Sequence, residues 1–173
     1  MDSVTHGSIS VLIGIIFIQF YSGIPLFLLI ATMFVFGVLV DYDHVIYYRK
    51  RFKNVQLWNI PQLIKIYFET VDENDDFIYH SWLHEPFGVI VVSIGSYLLF
   101  SVTNFYPPLT ILAISCYSAH FLVDLFSGKM KPLAPFNENF VINWSILPRN
   151  SLTGTGISFI TFVISLGIQL SVG

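Results

Sequence analysis

The run from Pro107 to Phe126 is almost unbroken in apolar side chains. At ~1.5 Å per helical residue it is long enough to cross a hydrocarbon core of about 30 Å. Such a segment is either the buried centre of a soluble fold or a membrane span. Composition decides between them: 54% of the chain is hydrophobic, 11% is charged and the mean hydropathy is +0.70, far from the balance of a soluble domain. A bilayer is the solvent this chain is built for. Its 173 residues leave room for one membrane-embedded domain, 1–173, and for no second globular domain of ordinary size.

Other apolar segments follow the same logic. Gly7–Tyr21 is short, but Asp2 and Ser3 supply capping side chains that bring Val4, Thr5 and His6 into its first turn. A second segment starts at Pro25, a favoured first helical position, and its apolar part ends at Val40, with Val45 to Tyr48 as a continuation. The third runs from Pro86 to about Phe105 and the last from about Thr153 to Val172. The expected architecture is all-α: a polytopic transmembrane helical bundle of about five spans. Met1-Asp2 offers no basic n-region, so a cleaved signal peptide is not expected.

Charge gives the orientation. With five spans, 42–85 and 127–152 lie on the side of the amino terminus, and they hold all eight basic residues: Arg49, Lys50, Arg51, Lys53, Lys65, Lys129, Lys131 and Arg149. The opposite turns, 22–24 and 104–106, hold none. The positive-inside rule therefore puts the amino terminus in the cytoplasm and the carboxyl terminus outside. In the long inner loop Ile60, Leu63, Ile64, Tyr67, Phe68 and Val71 recur at helical spacing beside Gln62, Lys65 and Glu69. That pattern predicts an amphipathic helix at the cytoplasmic interface. Asp72, Glu73, Asp75 and Asp76 read as a solvated turn, and Trp58, Trp82 and Trp144 as interfacial anchors. A net charge of -3 without a long basic run makes nucleic acid an unexpected partner, and the lone Cys116 rules out an intrachain disulfide.

All five histidines fall at one level of this topology. His6 opens the first span, and Asp41, Asp43 and His44 end the apolar part of the second. His80, His84 and Glu85 precede the third, while His120 and Asp124 sit toward the inner end of the fourth. Spacings of three or four put Asp41 with His44, His80 with His84 and His120 with Asp124 on shared helix faces. An ionisable group at the depth of His120 costs a few kcal/mol on insertion scales and must meet partners in the bundle. A divalent cation would satisfy several such groups together. Mixed imidazole and carboxylate donors suit zinc, with manganese, iron or nickel as alternatives, and no cysteine set forms the usual structural zinc site. Each pair alone has a plainer reading as a hydrogen-bonded pair or a helix cap, and Glu85 before Pro86 reads equally well as a helix-start acid. Their shared level is what favours a metal.

These motifs, Thr5-His6, Asp41-Tyr-Asp-His44, His80-Ser-Trp-Leu-His84 and His120-Phe-Leu-Val-Asp124, followed by Pro132-Leu-Ala-Pro-Phe136, resemble the membrane-bound metal-dependent hydrolases, a family also described as LexA-binding and inner membrane-associated. The resemblance covers roughly residues 1 to 140. It implies a hydrolase of the cell membrane with those histidines and aspartates as ligands. Val40 stands where a proline usually precedes the acidic motif, and the histidine pair lacks the family's His-Arg-Gly opening. The resulting expectation is one or two ions, zinc first, held among His6, Asp41, Asp43, His44, His80, His84, His120 and Asp124, with Asp43 or Glu85 as general base. The substrate would be an ester or phosphoester, such as a lipid headgroup, at the cytoplasmic interface. The alternatives are a non-enzymatic membrane protein that binds or transports a metal, and a scaffold with a hydrogen-bonded polar network.

Overall fold

The computed structural model describes residues 3–41, 59, 61–62, 82–127, 129–133, 136–137, 139–143, 146 and 151–172. Five helices carry the described chain: α1 (Ser3–Ile18), α2 (Leu26–Gly37), α3 (Pro86–Ser96), α4 (Leu109–Ser127) and α5 (Ser151–Val172). A π-helical stretch, Tyr97–Val102, prolongs α3, and short 3-10 turns occupy Leu39–Asp41 and Trp82–His84. Among the described residues the departure from an all-helical chain is a small antiparallel ribbon, β1 (Lys129–Met130) against β2 (Ile142–Asn143), with Lys129 opposite Asn143.

The apolar segments become helices at the expected places, but their lengths differ. Two windows, Leu109–Phe126 and Thr153–Ser171, are long and apolar enough to cross a membrane, whereas Thr5–Ile18, Leu26–Gly37 and Pro86–Val102 are shorter apolar helices. Among the described residues, five full-length spans is thus more than helix length supports. The reason is visible in α2. Pro25 is its N-cap, with φ −57° and ψ 131°, rather than its first helical residue, and the helix stops at Gly37. Its 12 residues rise only ~18 Å. Pro86, in contrast, does occupy the first turn of α3, with Glu85 as the extended N-cap residue.

Helix α4 is the hub, packing against α1, α2 and α3, while α1 also packs on α2 and makes its broadest interface with α5. Leu109, Leu112, Ala113 and Cys116 of α4 join Phe17, Leu29 and Phe100 in the buried apolar core. In lipid the tails are as apolar as leucine, so helices associate through close packing, and small residues bring backbones together. Gly7, Ser10 and Gly14 line the α2-facing side of α1: side chains placed on the two glycines would meet Val38 and Met33, and Ser10 lies directly against Gly37. Partly buried hydroxyls add interhelical hydrogen bonds, Ser101 with Thr110 at 2.8 Å and Ser8 with Ser158 at 3.3 Å.

The interfacial helix of the long loop lies mostly outside the described residues. Pro61 and Gln62 are helical, and the Gln62 N–H donates to the Asn59 side-chain oxygen at 3.2 Å, a capping bond at the start of the expected segment. The acidic run 72–76, the basic run 49–53, Trp58 and Trp144 also lie outside them.

Candidate metal centre

His6 sits in the first turn of α1, and His120 and Asp124 lie one turn apart near the end of α4. Packing of α1 on α4 makes the three converge. His6 Nε2 lies 3.3 Å from Asp124 Oδ1, and His120 Nε2 lies 3.2 Å from Asp124 Oδ2. The two imidazoles stack with centroids 3.8 Å apart and planes inclined by 17°. One ligand atom from each residue falls within 4.8 Å of the others. His6 and His120 are buried at 1% and 3% exposure, while the Asp124 side chain, at 21%, forms the rim.

Proton bookkeeping shows what this geometry favours. His120 Nδ1 lies 3.0 Å from the carbonyl oxygen of Gly37, the last residue of α2. A carbonyl only accepts, so Nδ1 carries the proton and donates. In the neutral ring Nε2 is then a lone pair directed at an anionic carboxylate, which is repulsive. Either the ring is an imidazolium or a cation lies between nitrogen and oxygen. Imidazole ligands of metals ordinarily donate their other N–H to a carbonyl or carboxylate, as His120 does. The spacing also fits: two ligands ~2.0–2.1 Å from one ion at tetrahedral angles stand about 3.3 Å apart. For His6, neither ring nitrogen makes a geometrically sound hydrogen bond to a described residue, although both are buried. Leaving a buried polar atom so costs ~1–3 kcal/mol unless something satisfies it. The donor set therefore fits a divalent ion of the zinc type, with two imidazole nitrogens and one carboxylate.

The remaining expected ligands divide into three groups. His84 ends the turn Trp82–His84 and presents its ring edge-on to His120, with centroids 5.1 Å apart at 82°. It belongs to the shell around His120 and is not among the three mutually close ligands. Asp41 closes the turn Leu39–Asp41 after α2, with its backbone alone described. Asp43, His44 and His80 lie outside the described residues.

Glu85 does something that neither of its sequence readings included. Only 1% exposed, it makes no side-chain cap bond to α3; its Oε1 accepts the backbone N–H of Lys131 at 2.6 Å. The carboxylate thus ties the start of α3 to the residue after β1. Phe136 of the proline-containing loop stands edge-on to Phe87, with centroids 5.4 Å apart.

Two contributors had no motif to announce them. Tyr117, almost fully buried, stacks toward His120 and donates its hydroxyl to the Leu83 carbonyl, fastening the turn that carries His84. The Gly37 carbonyl holds His120. The i to i+3 spacing of Tyr117 and His120 was a legible cue; a backbone carbonyl has none.

No curated protein and no solved structure matches the chain. One family model does, over residues 1–171, nearly the whole length. The chain belongs to the YdjM inner membrane protein family.

Proposed function

We propose that this inner membrane protein is a metal-dependent hydrolase whose metal is held by His6, His120 and Asp124 at the cytoplasmic end of the bundle. The observation that carries this reading is the carboxylate of Asp124 flanked by two histidine Nε2 atoms, with the Nδ1 of His120 already committed to the Gly37 carbonyl. When bound, a divalent ion supplies a Lewis acid and brings the pKa of a water toward neutrality.

The chain's own residues do the rest. His6 and His120, both buried, would hold the ion away from bulk water, and Asp124, on the rim, would hold it within reach of an ester or phosphoester at the interface. Asp43 or Glu85 would serve as the proton acceptor, and Asp41, His44, His80 and His84 would supply further donors to that ion or to a second one. Zinc suits this donor set first, with manganese or iron next. The depth of the site favours a lipid headgroup or another phosphoester as substrate. The proposed topology has about five spans, amino terminus in the cytoplasm and carboxyl terminus outside, from the one-sided distribution of Lys and Arg.

The test is elemental analysis of detergent-purified wild type beside the double variant His120→Ala, Asp124→Ala. Stoichiometric zinc, manganese or iron in the wild type and none in the variant is expected, with chelator-sensitive turnover of phosphoester or carboxyl ester substrates. Equal, negligible metal in both proteins would falsify the reading. Metal flux in proteoliposomes without turnover would instead favour a transporter.

A further inference from the structure

Gly37 occupies a crossing of three helices. A Cβ there would overlap Ser10 Oγ of α1, stand 2.7 Å from Ser10 Cβ and reach 3.9 Å from Cys116 Cβ of α4. Under 3 Å something has to shift; at 3.9 Å nothing does. The conflict is therefore aimed at α1 alone.

Each wall of this crossing lies one helical turn from the metal triad. Ser10 follows His6 by four residues and its hydroxyl donates to the His6 carbonyl at 2.9 Å. Cys116 precedes His120 by four residues on α4. Gly37 supplies the carbonyl, 3.0 Å away, that accepts the hydrogen bond from His120 Nδ1–H. The distance between α1 and α2 at this point thus sets two things together: where His6 stands, and whether His120 has its acceptor.

We propose that the Ser10–Gly37 contact is the positioning element of the metal site, holding α1 and α2 close enough for His6 and His120 to bracket the Asp124 carboxylate together. Ser10 and Gly37 touch neither metal nor substrate; they act through His6 and His120. A methyl group at 37 moves α1 outward and takes His6 from the triad, or moves the end of α2 and takes the carbonyl from His120. This inference rests on the proposed metal reading for its consequence in binding, and on geometry alone for its consequence at His120.

The experiment measures zinc and manganese affinity by chelator competition on the full chain in detergent, for wild type, S10G, G37A, S10A/G37A and S10G/G37A. Loss of an outer-shell partner typically weakens metal binding by about 10- to 100-fold, and G37A is expected in that range. S10G/G37A, which removes both the Oγ and the Cβ of residue 10, is expected to return to the affinity of S10G, recovering the roughly 10- to 100-fold loss of G37A. S10A/G37A keeps the 2.7 Å carbon contact and is expected to fall between. Wild-type affinity in G37A, or a double variant S10G/G37A as weak as G37A, overturns the proposal. Should G37A not accumulate as folded protein, Ser10→Val enlarges the same contact from the α1 side, and undiminished metal affinity in S10V is equally fatal.

A second readout needs no metal. With 15N-labelled histidine in metal-stripped protein, the His120 signals, assigned by their disappearance in His120→Ala, are expected to report an Nδ1–H held by a carbonyl in wild type and S10G/G37A, and an Nδ1 signal shifted by loss of that acceptor in G37A. An unchanged His120 pattern in G37A overturns the positioning role. Failure of wild type to bind zinc or manganese, with the His120 Nδ1 signals behaving as described, overturns the metal reading and leaves the packing role of the contact standing.

Discussion

Helices α4 and α5 look interchangeable on paper: each contains a window that passes the same length and hydropathy test for a span. Their surroundings differ. In the α4 window 39% of residues are buried, against 17% in α5. Helix α4 packs broadly against α1, α2 and α3 and carries His120, Asp124, Tyr117 and the core leucines, whereas α5 presents Phe159, Ile160, Phe162, Val163, Leu166 and Leu170 outward. The lesson is that hydropathy reports the solvent a helix tolerates; it does not say whether its neighbours are protein or lipid. In lipid, replacing a tail contact by a protein contact changes hydrophobic free energy little, so close packing and polar pairing sort the two helices.

That contrast can be broken or sharpened by mutation, starting with the largest expected effect. Asp124→Ala on α4 removes the carboxylate that both imidazoles face, so metal affinity should fall by more than the ~10- to 100-fold of an outer-shell loss. In thermal melts, zinc at a hundredfold its dissociation constant should stabilise wild type by ~2.7 kcal/mol and leave the variant unmoved. A polar change on α5, Ser158→Ala, should retain full metal binding; if it loses metal as Asp124→Ala does, the division of labour between the helices is wrong.

Packing gives the next effect. Leu112→Ala empties space in the core of α4 and should cost ~2–3 kcal/mol in detergent unfolding titrations, through lost van der Waals contacts. Phe162→Ala on the outward face of α5, where the side chain is 63% exposed and lipid or detergent refills the space, should stay within about 0.5 kcal/mol. Similar losses at both sites would mean that α5 has a protein neighbour on that face.

Two smaller effects concern the turn that leans on α4. A Cβ on Gly88 would collide with the Leu83 backbone, so Gly88→Ala should cost ~1–3 kcal/mol by overpacking, read in the same titration. Tyr117→Phe deletes the hydroxyl that holds the Leu83 carbonyl and should cost ~0.5–1.5 kcal/mol. Since His84 follows Leu83 directly, both variants should also raise the metal concentration needed for half-saturation if His84 is a ligand; an unchanged curve would confine His84 to a packing role.

Much of the bundle was legible because the cues were one-dimensional. Apolar runs marked each helix, and of the five histidines expected at one level, the three among the described residues, His6, His84 and His120, lie together. His120 and Asp124 announced themselves by helical spacing, and His6 by its place in the opening turn. Other features were ambiguous in one dimension. Glu85 reads as a base or a helix-start acid, and its bond to the Lys131 N–H has no cue in one dimension, because it exists only where the ribbon after α4 folds back to the start of α3. Gly37 is one of 11 glycines, and nothing in its flanking residues marks it as the one whose missing side chain and helix-end carbonyl matter. The short span lengths were hidden as well: an apolar residue after Gly37 reads the same whether the backbone continues as α-helix or tightens into the turn Leu39–Asp41.

By itself, then, the order of residues determined the solvent, the helical segments and the set of groups too costly to bury alone, because hydropathy, spacing and ionisation are properties of short stretches. Tertiary structure decided which of those groups meet, which helix has protein on most sides, and which carbonyl holds His120. Those outcomes depend on how closely two backbones approach, and that distance is set where Ser10 meets Gly37, 27 positions apart in the chain (37 − 10) and in direct contact in the fold.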